Sequence, residues 1–253
     1  MTRQGRSAGW VGYVALVFGL SLPFYALGLT QTHLPFVTAL PLSAIGAVVP
    51  AVAAIILAGR RGGIRALLDR LRHWPRLGWA VAAIAFMPLI FWLTAVTLGR
   101  VGAGLPEAQW LPVTSIALAL LIFLVGAVGE ELGWQGYLYP RMRGAPLQSA
   151  LVLGVIWALW HVVPFAEMGH SGPWIVWHCL ATVAMRVVIV WLVENTAQSV
   201  MIAVLFHIMA NAPWGAVANF AAFYDPMIAA MLLWLVVGAI IAIYGTALGR
   251  RGV

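Results

Sequence analysis

Residues 120–142 read LLIFLVGAVGEELGWQGYLYPRM, in which Glu130 and Glu131 close an apolar run that carries no charge from Leu111 to Gly129. A run of this length spans the ~30 Å hydrocarbon core of a bilayer as a helix. Burying one carboxylate there costs at least ~2.5–3.5 kcal/mol, so an intramembrane acid normally faces a polar interior and has a task. The chain holds only seven acidic residues, and two of them stand side by side at this depth. Downstream apolar segments add His161, in WALWH, and His207 with Asn211, in HIMAN. Acid, imidazole and amide inside apolar segments are the composition of a reaction centre.

Working outward, the rest of the chain has the same character. Its hydrophobic fraction is 63% and its charged fraction 8%, outside the range of a soluble domain. Apolar windows of span length recur near 10–29, 37–58, 77–97, 112–138, 148–165, 173–193, 197–214 and 226–248. In lipid every backbone polar group must be satisfied internally, so these windows are helices. The expected fold is all-α: a polytopic membrane protein of about eight transmembrane helices, a single integral membrane domain over 1–253.

The net charge of +7 is a topology signal, not a nucleic-acid one. Lysine is absent, and of the fourteen arginines twelve fall on one side if there are eight spans: Arg3, Arg6, Arg60, Arg61, Arg65, Arg70, Arg72, Arg76, Arg141, Arg143, Arg250 and Arg251. The opposite loops hold Arg100 alone. By the positive-inside rule both termini are cytoplasmic. The single Cys179 excludes an intramolecular disulfide. Arginine-rich, lysine-free usage suggests a bacterial chain, hence a multi-pass protein of the bacterial cytoplasmic membrane. Within 59–76, Ile64, Leu67, Leu68 and Leu71 recur at helical spacing opposite arginines, which predicts a basic amphipathic stretch along the cytoplasmic headgroups. Trp110, Trp174 and Trp214 fit an aromatic belt, His178 an interfacial position, and His170 a solvated loop.

Neighbouring helical residues diverge by about 100°, so one of Glu130 and Glu131 faces the reacting centre and the other supports it. Residues four apart share a face, which pairs Glu131 with Gln135, Trp157 with His161, and His207 with Asn211. The depths agree roughly: Glu130 lies about 12 Å and His207 about 15 Å from the cytoplasmic ends of their helices, His161 about 20 Å. The predicted result is one cavity lined by Glu130, Glu131, His161, His207 and Asn211, open to the cytoplasmic side.

A buried carboxylate can take a proton from water, histidines can relay it to a leaving amine, and an Asn amide can hold a developing oxyanion. Glu130, His161 and His207 are also an acceptable zinc ligand set with water in the fourth position. Either way the natural reaction is amide hydrolysis. A Glu pair alone would suit a proton relay or an ion site, and a lone intramembrane His is ordinarily a satisfied core group. Their joint occurrence at one-turn spacings selects a site.

These segments resemble the CAAX prenyl protease and bacteriocin-processing (CPBP, or Abi) family of intramembrane proteases. The resemblance covers about 120–215, with a catalytic core over 112–215, and rests on three motifs in order. The family's two glutamates followed by Arg read here Glu130-Glu131-Leu-Gly-Trp-Gln135; Phe-xxx-His reads Trp157-xxx-His161; His-xxx-Asn reads His207-xxx-Asn211. Gly129, Gly136 and Pro140 also match. The resemblance implies Glu130 as base, His161 as its partner, and His207 with Asn211 on the oxyanion side. It leaves zinc and a metal-free glutamate mechanism both open.

Two departures stand out. Trp157 for Phe keeps an aromatic wall and reads as mild. Gln135 for Arg removes a cation one turn from Glu131. Arg186, the only Arg within a span and close to the same depth, either replaces that cation or snorkels to the headgroups. The expected function is a (metallo)endopeptidase cutting a peptide, bacteriocin precursor or membrane protein at the cytoplasmic face. The alternatives are a non-catalytic immunity or scaffold protein of the same fold and a proton-coupled transporter. The partners are that substrate and the lipid bilayer, with no nucleic acid.

Overall fold

The computed structural model describes residues 4–29, 33–34, 37–59 and 63–249, with side chains described within 9–29, 43–59 and 63–249. Arg3, Arg60, Arg61, Arg250 and Arg251 therefore lie outside the described residues, as does the side chain of Arg6. In chain order the elements are α1 (Gln4–Gly28), β1 (His33–Leu34), β2 (Val37–Pro41) and a 3-10 turn (Leu42–Val48) leading into α2 (Val49–Gly59). Then come α3 (Ile64–Arg72), α4 (Leu77–Arg100), α5 (Val113–Glu131), α6 (Pro146–Glu167), α7 (Gly172–Glu194), α8 (Val200–Ala216) and α9 (Pro226–Tyr244). The protein is an all-α polytopic membrane protein, with one short antiparallel hairpin that pairs His33 with Pro41 and Leu34 with Val37.

Six helices among the described residues are long and apolar enough to cross a membrane: those in 9–28, 77–100, 113–141, 146–167, 172–194 and 226–247. Two more windows, Ser43–Gly59 and Val200–Ala216, form shorter apolar helices. The window from 37 to 58 was expected to be helical throughout, yet its first residues pair as β2. The helix register starts only after Pro41, a residue without a backbone N–H to donate. The outer surfaces carry large exposed apolar side chains, among them Leu89, Trp92, Leu121, Leu159 and Leu235. A soluble monomer does not present apolar surface on this scale; lipid is what covers it.

Local sequence sets the helix ends. Pro146 and Pro226 stand at first helical positions, where no N–H is needed. Ser171, Ser199 and Asp225 cap α7, α8 and α9 by accepting from the backbone N–H of Trp174, Ile202 and Ile228. Gly245, at φ 65, ends α9 in a conformation open to glycine. Between α3 and α4, the Ser199 hydroxyl donates to the His73 carbonyl, and Tyr139 after α5 donates to Glu194 at the end of α7. Those contacts gather Arg65, Arg70, Arg72, Arg76, Arg141 and Arg143 at one end of the bundle. At the other end the loop after Arg100 is stitched to the turn after α8: Leu111 donates to Ala216, Ala218 to Gln109, and Asn219 to Glu107.

α7 is the central helix, packed on α6 and α9, and Val187, Val188, Ile189, Val190 and Leu192 are fully buried along it. α8 packs against α4 and α5. The helix expected to run unbroken over 112–138 ends as α-helix at Glu131 and continues as a π turn over Leu132–Leu138, then a 3-10 turn over Tyr139–Arg141. Gly133 and Gly136 fall inside this turn, where low helix propensity and absent side chains let the backbone widen. α5 also approaches the Leu42–Val48 turn closely at Gly129: a Cβ there would sit 2.8 Å from the Ala47 carbonyl oxygen.

Candidate active site

Four helices supply the site: the end of α5 gives Glu130 and Glu131, α6 gives Trp157 and His161, α7 gives Arg186, and α8 gives His207 and Asn211. Adjacent in sequence, the two glutamates diverge as helical geometry requires. Glu130 lines a cavity of about 360 Å³, together with Trp157, His161, His207 and Asn211. Glu131 does not line it. The expectation that both acids face the cavity is corrected: Glu131 is fully buried behind the wall.

There Glu131 is enclosed by donors. Arg186 gives it two hydrogen bonds, Nη1 to Oε2 at 2.7 Å and Nη2 to Oε1 at 3.1 Å. His207 Nδ1 donates to Oε1 at 2.9 Å. A bidentate guanidinium of this kind gives strong, geometrically specific pairing. Arg186 is fully buried and turned inward, so it does not snorkel. Gln135 takes no part. Its amide is buried, and neither its oxygen nor its nitrogen has a hydrogen-bond partner among the described residues. The pairing of Glu131 with Gln135 assumed α-helical turns, and the α-helix has given way to the π turn by residue 132.

Glu130 is held differently. The Trp157 indole N–H donates to its Oε2 at 2.7 Å. His161 Nε2 lies 3.8 Å from Oε2 and His207 Nε2 lies 4.0 Å from Oε1. Both are too long for direct hydrogen bonds and within reach of one bridging water. The other nitrogen of His161, Nδ1, is 2.9 Å from the Trp157 carbonyl. A carbonyl only accepts, so Nδ1 carries the proton and Nε2 of the neutral ring offers a lone pair toward Glu130. His207, which gives Nδ1 to Glu131, likewise turns Nε2 to the cavity.

Trp157 in place of Phe is more than the mild change its aromatic character suggests. Phe in its place could not donate to Glu130. Its ring also carries the Arg186 guanidinium, 4.0 Å from the centroid, and meets His161 and His207 edge-on. One indole therefore links the two glutamates' environments.

The upper cavity corrects three further expectations. Trp174, Trp214 and His178 line it instead of forming a belt or an interface. His178 accepts from or donates to the Tyr224 hydroxyl at 2.8 Å through Nδ1. His170 stacks on Trp174 with ring centroids 3.5 Å apart, and Trp174 stacks on His178 at 4.6 Å. Burial lowers the His170 pKa, by desolvation. The i, i+4 spacing of Trp174 and His178 was a legible signal, since such residues share a helical face, whereas His170 precedes the N-cap of α7. Trp110, by contrast, is exposed.

The direction of the cavity is also corrected. From Glu130 the lining runs through Phe165 and Met168 on the α6 side and through Thr182, His178 and Trp174 on α7, to Trp214 and Tyr224. All of these lie toward the end of the bundle away from the arginines. Distance from one helix end says how deep a group lies and nothing about which side stays unpacked.

Zinc does not fit this arrangement as it stands. Two donors on one tetrahedral zinc, each at ~2.0–2.1 Å, lie about 3.3 Å apart. The histidines stand farther than that from Glu130, and no three His, Cys, Asp or Glu side chains among the described residues form a metal-ligating group. The chemistry available is that of the protein groups.

Residues 109–213, which hold Glu130, Glu131, Trp157, His161, Arg186, His207 and Asn211, match the family described as type II CAAX prenyl endopeptidase, Rce1-like. Through this segment the chain is similar to the CPBP family, in line with the three motifs. A CAAX prenyl protease 2 from Methanococcus maripaludis is 27% identical over 109 residues, 39% of this chain and 40% of that protein. The chain thus spans about two fifths of the curated relative's length. The matched segment runs from just before α5 into α8, the helices that surround Glu130, while α1 to α4 lie upstream of it.

Proposed function

We propose that the protein is an intramembrane endopeptidase that hydrolyses a peptide bond with water activated by Glu130. The observation that carries this reading is the position of the Glu130 carboxylate on the cavity floor, one water's reach from both His161 and His207. A water lodged there gives its proton to Glu130 while its oxygen attacks the peptide carbonyl. The resulting tetrahedral oxyanion meets donors from Asn211 Nδ2 and, when the ring carries both protons, from His207 Nε2. His161, whose Nε2 lone pair faces Glu130, passes the proton to the leaving amine as the C–N bond breaks. The products are a carboxylic acid and an amine, and the balance needs only water. Glu131 and Arg186 act at one remove by fixing the His207 ring.

The CPBP match supports a protease of the CAAX type, and the M. maripaludis protein's name points the same way. Purified protein incubated with a quenched fluorescent peptide library tests the reading. Cleavage by the native chain and none by Glu130→Gln is expected. Equal cleavage by both, or none by the native chain across the library, overturns it.

A further inference from the structure

The cavity is closed at one end. Its floor is formed by Glu130, Trp157, Met185 and His207, all buried. Its lining then climbs α6 and α7 to the loop between them, where Met168 is 42% exposed. On the other side of Glu130, toward the arginines, large side chains fill the interior. Trp134, Tyr137, Leu138, Ile189, Leu192 and Ile202 are each fully buried there. Side chains buried to this degree form a close-packed plug between Glu130 and the arginines.

The two ends differ sharply in charge. Arg65, Arg70, Arg72, Arg76, Arg141 and Arg143 ring the sealed end, whereas the open end has Arg100 with Glu107, Glu167 and Asp225. Arginine excess of this kind in short loops is retained on the cytoplasmic side. The lining itself contains no Arg, Lys or Asp and no carboxylate besides Glu130. Its upper part is aromatic, thioether and imidazole: Phe165, Met168, His170, Trp174 and Tyr224.

We propose that the site is entered from the non-cytoplasmic face, and that its substrate is an exported polypeptide segment, uncharged and apolar, that reaches the cavity from that side. This rests on the endopeptidase reading for the word substrate, but the side of entry stands apart from it. An uncharged segment fits because a charged side chain would be desolvated among the rings without a partner. Peptide bonds of cytoplasmic chains would meet the sealed, arginine-bearing end.

Cysteine accessibility in intact cells decides the matter. In a Cys179→Ala background of the full chain, Met168→Cys marks the rim and Arg143→Cys the exposed sealed end; neither belongs to the site's reacting groups. Treated with a membrane-impermeant sulfonated maleimide, Met168→Cys should label as fully in intact as in permeabilised cells. Arg143→Cys should lose its labelling until the cells are permeabilised. The inverse pattern, or labelling of Met168→Cys only after permeabilisation, overturns the proposal. Should the cysteine forms fail to accumulate, an epitope inserted after Gly102, in the exposed loop at the open end, gives the same decision by antibody binding to intact cells. Labelling needs no turnover, so the Glu130→Gln form must show the same pattern. Absence of peptide cleavage by the native chain, or equal cleavage by Glu130→Gln, with that labelling pattern intact overturns the endopeptidase reading alone.

Discussion

The Trp157 indole donates to Glu130 across 2.7 Å while its face carries Arg186, so the residue that departs from the family's Phe is the one that orients the proposed base. Trp157→Phe keeps the aromatic wall and deletes the donor. A hydrogen bond to a charged group contributes ~1.5–3 kcal/mol, which corresponds to a roughly 10- to 150-fold fall in cleavage rate. Steady-state cleavage by the purified variant measures it, and an unchanged kcat/KM would show that the bond does not matter.

Arg186→Leu removes the cation from a fully buried carboxylate. Breaking one side of a buried pair costs about 3–5 kcal/mol, so a large drop in thermal midpoint in detergent is expected. Adding Gln135→Arg to that variant should recover part of the loss, since Gln135 is buried with an idle amide one helical turn beyond Glu131. No recovery would mean that the π turn aims position 135 away from Glu131.

The two glutamates should separate in stability. Glu130→Gln keeps an acceptor for Trp157 and touches no buried cation directly, so its midpoint should stay near native while cleavage is lost. Glu131→Gln leaves Arg186 buried against a neutral amide and loosens His207, so it should unfold at clearly lower temperature. Equal midpoints for the two variants would contradict the division of roles.

His161→Ala should insert and fold yet cleave about 10²–10⁴-fold more slowly, the range of general acid–base catalysis. Turnover of a quenched peptide, with circular dichroism as the control for folding, checks it. Native-like turnover would remove His161 from the mechanism.

Much was legible before folding because the membrane restricts the answers. Length and apolarity alone require helices where no water can satisfy the backbone. The cost of burying charge picks out Glu130, Glu131 and Arg186 as residues that must have partners. One-turn spacing placed Trp157 with His161 and His207 with Asn211 on shared faces. What failed were local rules applied past their range: α-helical spacing carried beyond Glu131 into a π turn, and belt positions assigned to Trp174 and Trp214 from sequence position alone.

The sequence by itself determined the number and kind of apolar segments, the asymmetry of arginine, and the identity of the groups able to do chemistry. Each of these depends on composition or on contacts within a few residues. Only the tertiary structure decided that Arg186 meets Glu131 across 55 residues of chain, that Trp157 reaches Glu130, and that the cavity opens away from the arginines. Those outcomes depend on how α5, α6, α7 and α8 pack side by side. The direction in which a packed bundle leaves a gap is a property of all its side chains together, and no single segment encodes it.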